Sequence, residues 1–162
     1  MEPQASRPHM PGYGIVPAGE GSGLLPWSWA EHRLTVSHDY WLATVQSDGR
    51  PHVMPVWGVW DGESLWFSSG PESRKARNLS RDPRATITTD DPKEPVVVDG
   101  TVTRVSDETG NRRFAELVNA KYETDYSVDF FLVNACFRLC PVWAFGLMQA
   151  DFSGSPTRWT FG

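Results

Sequence analysis

Residues 40–69, YWLATV-QSDGR-PHVMPVWGVW-DGE-SLWFSS, carry the strongest fold signal in the chain. Three runs rich in aromatic and β-branched residues are separated by two Asp-Gly pairs, Asp48-Gly49 and Asp61-Gly62. Asp-Gly readily adopts the positive φ angles of a tight hairpin turn, and the flanking residue types favour strands. The stretch therefore predicts an antiparallel meander of three strands, over 40–45, 52–60 and 64–69.

The rest of the chain adds helices and further strands to this meander. Apolar spacing and capping residues predict helices over 27–36, 73–80 and 106–122. More strands are predicted over 85–89, 96–105, 136–140, 142–148 and 156–161. Six to eight mostly antiparallel strands with three helices favour a closed β-barrel decorated by helices over an α/β sheet.

Two residues within these strands predict local irregularities. Pro55 cannot donate to a sheet ladder, so 52–60 is expected to form an edge strand or a bulged strand. Gly100, inside the run 96–105, is typical of a β-bulge. Backbone groups that Pro55 frees from the ladder are available to a ligand.

The first 26 residues differ in composition from the rest of the chain. Residues 1–26 contain five prolines and five glycines, which predicts an arm without regular helix or strand, followed by one folded domain over 27–162. Two interpretations remain open for this arm. It is disordered, or apolar residues pin it to a surface such as that of a partner subunit; the candidates are Tyr13, Ile15, Leu24 and Leu25.

Composition argues against several classes of function. A net charge of −5 and a pI near 5.3 do not suit a general nucleic-acid-binding surface. The chain has no apolar run long enough for a membrane span, and its N-terminus lacks a signal-peptide pattern. Cys136 and Cys140 are too few for a zinc site or a disulfide framework, and the four histidines show no metal-ligand spacing. We expect a cytoplasmic protein with reduced core thiols and no metal site.

The segment SSGPESRKARNL at 68–79 carries the clearest functional signal. A strand ends in two hydroxyls, and a Gly-Pro turn leads into a helix with Ser73 as its N-cap. The first turn of this helix carries Arg74, Lys75 and Arg77, and cations at this end oppose the helix dipole. A bound phosphate would offset this unfavourable interaction between the cations and the helix dipole, because helix N-termini attract anions. The segment predicts a phosphate site, and the alternative is a solvated basic face.

Short motifs follow one another in a characteristic order over 38–105. They are Ala43-Thr44-Val45, Asp48-Gly49-Arg50-Pro51-His52, Pro55-Val56-Trp57, Leu65-Trp66-Phe67-Ser68, Ser73-Arg74-Lys75, Asn78-Leu79 and Asp82-Pro83-Arg84. Together they resemble the superfamily of pyridoxamine-phosphate oxidases, above all its actinobacterial branch of FMN- and F420-dependent proteins. A weaker similarity extends over 142–161. The resemblance implies a mostly β fold with helices, the split β-barrel, and a flavin-type cofactor.

The resemblance also implies roles for individual residues. The Ser-Arg-Lys turn would hold the cofactor phosphate through Arg74 and Lys75, while Ser68 and Ser69 would contact the phosphate or the ribityl chain. The strand after the first Asp-Gly turn would lie along the cofactor ring, and Arg158 would approach the ring from a second subunit. The implied cofactor-binding residues are His52, Val53, Met54, Pro55, Val56, Trp57, Ser68, Ser69, Ser73, Arg74, Lys75, Arg77, Asn78 and Arg158.

Departures from the family pattern narrow the expected function. The oxidases carry an arginine and a lysine where this chain has His52 and Trp57, and little of their C-terminal basic cluster is present, so vitamin B6 oxidation is not expected. FMN and F420 would both present a phosphate to the turn. F420 is slightly favoured, because Arg77, Arg81 and Arg84 offer a basic track for its acidic tail. The alternative is that these arginines are ordinary surface residues or pair with Asp82 and Asp90.

The resemblance therefore implies a homodimeric oxidoreductase that binds F420 or FMN, and we expect it to reduce a planar, conjugated small molecule. No catalytic residue is assigned, because in the family that the chain resembles the cofactor performs the hydride transfer. The alternative is a protein that binds or carries F420, FMN or a haem-like ligand without turnover. Four aromatic residues are expected either to line a substrate pocket or to pack in the core: Trp57, Trp60, Trp66 and Trp159.

Overall fold

A computed structural model describes residues 2–162, so Met1 of the predicted arm lies outside the described residues. Nine strands occur in this part of the chain: β1 (Gln4–Ser6), β2 (Asp39–Val45), β3 (Pro51–Trp57), β4 (Val59–Trp60), β5 (Leu65–Ser69), β6 (Arg84–Thr89), β7 (Val96–Val105), β8 (Ala135–Gly146) and β9 (Thr157–Thr160). The helices are α1 (Trp27–Val36), α2 (Arg74–Arg81), α3 (Glu108–Tyr122) and α4 (Val128–Val133), with a 3-10 turn at Gln149–Asp151. Within residues 2–162 no helix combines the length and the apolar character needed to cross a membrane.

The strands form one antiparallel sheet in the order β1-β9-β8-β7-β6-β2-β3. β8 pairs with β7 along one side, and along the other side it pairs first with β5 and then with β9. β4 extends this branch by pairing with β5. Among the described residues no strand pairing joins β3 to β5, so the sheet stays open between them. The mostly β, split-barrel fold is confirmed, whereas full closure of the barrel is not observed.

The interior of the barrel is built by alternation along the strands. In β2 the side chains of Tyr40, Leu42 and Thr44 are buried, while the residues between them lie at the surface or half-buried. This period of two places one face of each strand in a common core, which α1 covers with Ala30 and Leu34.

A second apolar cluster lies outside the barrel, between α3, α4, β4, β5 and β8. It includes Trp66, Phe114, Phe131 and Cys136. Burial raises the pKa of the Cys136 thiol to about 12. Cys136 and Cys140 are both free; Cys136 is buried as expected of a core residue, whereas Cys140 is half-buried.

Most element predictions are confirmed. The helix over 27–36 and the strand over 96–105 have the predicted bounds. The register of β7 against β8 shifts between Asp99 and Gly100, where a bulge is predicted. β3, which contains Pro55, is the last strand of the sheet path and therefore an edge strand.

Four element predictions are wrong. The run 52–60 is two strands separated at Gly58, whereas 136–140 and 142–148 belong to the single strand β8. Pro141 does not interrupt β8, because it lies opposite Gly100 at the bulge, where the ladder is already irregular. The six-residue helix α4 brings the α-helices to four instead of three in the described chain, and it is too short for periodicity to reveal. The arm was predicted to lack regular structure, yet Gln4–Ser6 pairs with β9. With this strand the described chain has nine strands instead of the predicted six to eight.

The structure places the N-terminal arm on the protein's own barrel. The guanidinium of Arg7 donates to the carbonyl oxygens of Pro156 at 2.8 Å and of Pro17 at 3.1 Å. Farther along, the Asp151 carboxylate accepts from the Ser22 backbone N–H at 2.7 Å, and Leu25 is buried. Of the four predicted contact residues, Leu25 enters the core, Ile15 and Leu24 are half-buried, and Tyr13 is exposed.

Candidate cofactor site

The turn between β5 and α2 is held by hydroxyl groups. The Ser69 and Ser73 hydroxyls lie 2.7 Å apart, and the Ser73 hydroxyl also accepts from the backbone N–H of Ala76 at 3.2 Å. The Ser73 N–H donates to the Gly70 carbonyl oxygen at 3.0 Å. Ser73 is thus the N-cap of α2, as predicted, and it fixes the direction in which the helix N–H groups point.

The three predicted phosphate-binding cations differ in their surroundings. Arg77 is exposed and forms an ion pair with Glu72 at 3.2 Å. Arg74 is exposed and donates only to the amide oxygen of Gln46, at 3.3 Å. Lys75 is half-buried and has no hydrogen bond or ion pair to any residue of 2–162. Two positive charges without an anionic partner therefore lie at the positive end of the helix dipole, where a phosphate is favoured.

A buried hydrogen bond fixes α2 against the sheet. The Asn78 side-chain amide donates to the Thr44 hydroxyl at 3.0 Å, and Arg81 donates to the Val45 carbonyl oxygen at 2.8 Å. Thr44 lies directly opposite His52 on β3. The helix that begins at the turn is thus held in a fixed position relative to the strand that is predicted to face the ring.

The strand β3 presents apolar side chains at the open edge of the barrel. Val53, Met54 and Pro55 are exposed, and Val56 is buried. The Nδ1 atom of His52 is buried but has no hydrogen-bond partner within the described chain. Apolar surface beside an unpartnered nitrogen suits a flat heteroaromatic ring, while the hydroxyls and cations of the adjacent turn suit a phosphate. The residues present therefore fit a flavin-type cofactor.

An aromatic stack closes one end of this strand. The ring of Trp57 lies parallel to that of Tyr122, with the ring centres 4.2 Å apart, and His38 meets both rings edge-on. Tyr122 covers one face of Trp57, whose side chain is 43% exposed. Trp60, Trp66 and Trp159 are instead buried, so of the four tryptophans proposed for a substrate pocket these three pack in the core.

Residues from the end of α3 brace the break between β3 and β4. Lys121 donates to the Gly58 carbonyl oxygen and to the Tyr40 hydroxyl, each at 2.8 Å. The Tyr122 hydroxyl accepts from the Gly58 N–H at 2.9 Å. Burial lowers the pKa of Lys121 to about 8 and raises the pKa of Tyr122 to about 12. Sequence reasoning missed this brace because its members are more than sixty residues apart along the chain.

Arg158 lies apart from the turn within one protomer. It is opposite Phe145 on β8, whereas Ser69 is opposite Ala135, ten positions away along the same strand. The Arg158 guanidinium lies over the ring of Trp143, 4.5 Å from its centre. Its implied place near the ring would thus require a second subunit.

The predicted basic track is partly neutralised. Arg84 forms an ion pair with Asp82 at 2.7 Å, and the hydrogen bonds from Arg84 lower the pKa of Asp82 to about 2. Arg77 forms an ion pair with Glu72, while Arg81 donates a hydrogen bond to the Val45 carbonyl oxygen. These surface ion pairs are weak. The acidic tail of F420 would nevertheless have to displace two carboxylates, those of Glu72 and Asp82.

An open antiparallel barrel whose fifth strand leads into a serine-capped basic helix defines a split-barrel protein of the flavin-binding type. The family model of pyridoxamine 5'-phosphate oxidase matches residues 33–135, and the chain belongs to this family. No curated protein matches the chain.

Solved structures extend the comparison. An F420 reductase is 28% identical, with a TM-score of 0.58, and the match covers 70% of this chain and 94% of that protein. A conserved hypothetical protein from Mycobacterium tuberculosis is 22% identical over 91% of this chain and 87% of that protein, with a TM-score of 0.67. A haem-binding protein from Mycobacterium smegmatis is 21% identical over 81% of this chain and 62% of that protein, with a TM-score of 0.56. The last two similarities show the fold alone.

Proposed function

We propose that the protein is an oxidoreductase that binds F420 or FMN at the split of its barrel and reduces a planar, conjugated small molecule. The observation that carries the proposal is the pair of cations without anionic partners, Arg74 and Lys75, at the start of a helix capped by Ser73. This helix start adjoins the open apolar edge of the sheet. A ligand with a phosphate at one end and a flat ring at the other matches both parts.

Each part of the site has a binding task. Arg74 and Lys75 would neutralise the phosphate, with the Ser69 and Ser73 hydroxyls orienting it. The exposed edge of β3 would support the ring, and the unpartnered Nδ1 of His52 would gain a polar partner there. The bound cofactor supplies the hydride chemistry, and the protein contributes binding, orientation and exclusion of water.

F420 is slightly preferred over FMN. The similarity to an F420 reductase supports this preference. The basic residues near α2 support it less, because Arg77 and Arg84 already have carboxylate partners. Direct comparison of the two cofactors decides the point.

A homodimer completes the proposal. In a single protomer, one side of a ring bound against the exposed apolar side chains of β3, such as Val53 and Trp57, would remain in water. A second copy of the chain would cover this side. Sedimentation of the protein with and without cofactor measures this association.

The test is titration of the apoprotein with F420 and with FMN, followed by cofactor fluorescence. We expect Arg74→Ala with Lys75→Ala to weaken binding by more than about tenfold, since charge-assisted hydrogen bonds contribute roughly 1.5–3 kcal/mol each. Arg112→Ala with Arg113→Ala on α3 is the matched control and should leave affinity unchanged. Binding of neither cofactor, or equal binding by both double variants, would overturn the proposal.

A turnover assay distinguishes an oxidoreductase from a protein that only carries the cofactor. The reduced cofactor bound to the protein is mixed with menadione, a planar quinone. An enzyme oxidises the cofactor faster than the same cofactor reacts free in solution. Tight binding without this acceleration would assign the protein to the carriers.

A further inference from the structure

A cavity of about 500 Å³ lies between the N-terminal arm and the outer face of the sheet. The arm contributes Pro8, Met10 and Tyr13, and the sheet contributes Trp143, Phe145 and Arg158. This volume is within the range of small-molecule sites, roughly 300–1,000 Å³. The cofactor site proposed above uses none of these residues within the same protomer.

The arm is anchored on both sides of the cavity. Before it, β1 pairs with β9, and Arg7 donates to the Pro156 carbonyl oxygen at 2.8 Å. After it, the Val16 N–H donates to the Ser153 carbonyl oxygen at 3.0 Å, and the ring of Tyr13 lies 5.9 Å from that of Phe152. The cavity is therefore a solvent-open groove with a fixed wall on the arm side.

Arg158 is the one arginine or lysine among the described residues that line this pocket, which His9 also lines. Its half-buried guanidinium stacks on Trp143 at 4.5 Å and makes no hydrogen bond or ion pair within residues 2–162. The nearest acidic position by register is Asp99, opposite Trp143, and its carboxylate accepts from the Thr86 hydroxyl at 3.0 Å. A stacked guanidinium keeps its N–H groups free at its edge, where they can bind an anion with two parallel hydrogen bonds.

We infer that this pocket binds a small amphipathic anion, with an apolar aromatic or alkyl body and a single carboxylate or sulfonate group. The apolar side chains of the arm and of β8 enclose the body, and Arg158 binds the charged group. The site is formed by one chain and does not depend on the cofactor. Competition with F420 and FMN distinguishes it from the position that the family resemblance implies for Arg158, beside the cofactor ring of a second subunit.

Two fluorescent probes with the same ring system test the inference. 1-Anilinonaphthalene-8-sulfonate carries the anionic group, and N-phenyl-1-naphthylamine lacks it. We expect saturable binding of one sulfonate probe per chain, and binding of the neutral probe weaker by roughly tenfold or more. Arg158→Met should remove this preference by weakening only the sulfonate probe. Arg112→Met, which removes a surface arginine from α3, should leave both affinities unchanged.

A second variant covers the case in which Arg158→Met unfolds the chain, which circular dichroism would show. Met10→Glu places a negative charge on the arm side of the pocket and should expel the sulfonate probe while retaining the neutral one. The inference is overturned if both probes bind equally well, or if neither variant changes the preference. It is also overturned if FMN or F420 displaces the probe competitively, because Arg158 would then belong to the cofactor site.

Discussion

The side-chain amide of Asn78 on α2 donates a 3.0 Å hydrogen bond to the hydroxyl of Thr44 on β2, and both residues are buried. Thr44 in turn lies opposite His52 on the edge strand. One buried contact thus connects the helix that begins at the candidate phosphate turn with the strand that would support the ring. The relative position of the two halves of the candidate site depends on it.

Removing the acceptor of this bond should destabilise the protein. Thr44→Val leaves the Asn78 amide buried without its acceptor, and we expect a loss of about 1–3 kcal/mol in the free energy of unfolding. Thr44→Val combined with Asn78→Leu should recover part of the loss, because no unpaired amide remains. Urea denaturation measures both variants. A single variant as stable as the wild type would show that the bond does not position α2.

The stack of Trp57 on Tyr122 should report on a bound ring. If the proposed function is correct, Trp57→Leu reduces the quenching of FMN fluorescence on binding, because the indole at the end of β3 is lost. Trp41→Leu is the matched control, since Trp41 is 42% exposed and does not stack on Tyr122. Equal quenching in the two variants would place the ring elsewhere.

The amine of Lys121 should make stability depend on pH. Burial lowers its pKa from 10.5 to about 8, so below this pH the folded state bears the full penalty of a desolvated charge. As pH rises from about 8 to 10, the folded protein loses this proton while the unfolded chain keeps it, and the free energy of unfolding rises. We expect the wild type to gain stability relative to Lys121→Met over this window.

Urea denaturation at a series of pH values measures the difference between these two proteins. The comparison stops near pH 10, because the unfolded tyrosines ionise above it, whereas the pKa of Tyr122 in the folded protein is raised to about 12. A difference that stays constant with pH would contradict the partial burial of the Lys121 amine.

Arg7 should control how firmly the N-terminal arm is attached. Arg7→Met removes the hydrogen bonds to the carbonyl oxygens of Pro156, Pro17 and Glu20. We expect faster chymotrypsin cleavage after the exposed Tyr13, with a small change in the thermal midpoint because the barrel core is untouched. Arg112→Met serves as the control. An unchanged cleavage rate would mean that β1 alone holds the arm.

Local chemistry could be predicted from the sequence, and distant pairing could not. The Asp-Gly turns, the Ser73 cap and the Gly100 bulge each depend on a few adjacent residues, and the structure has all three. The bond between Asn78 and Thr44 joins positions 34 residues apart, and the bond from Lys121 to Gly58 spans 63. No short stretch of sequence contains both partners of such a contact, so local patterns cannot predict it.

The wrong prediction for the N-terminal arm has the same cause, because its strand depends on a distant partner. Proline and glycine correctly indicated that the arm forms no helix, but β1 is a strand only because β9 lies beside it. Arg158 was identified from a family resemblance. Its stacking on Trp143 and its place in the arm pocket became visible only with the sheet register.

Pro55 at the open edge of β3 limits the addition of further strands to the sheet. An apolar strand with one free edge is a template on which other chains can add strands and aggregate. A chain that approaches this edge meets no N–H group at position 55, so the ladder cannot continue through that point. The edge that would support the ring in the proposed function is therefore interrupted at Pro55 as a template for strand addition.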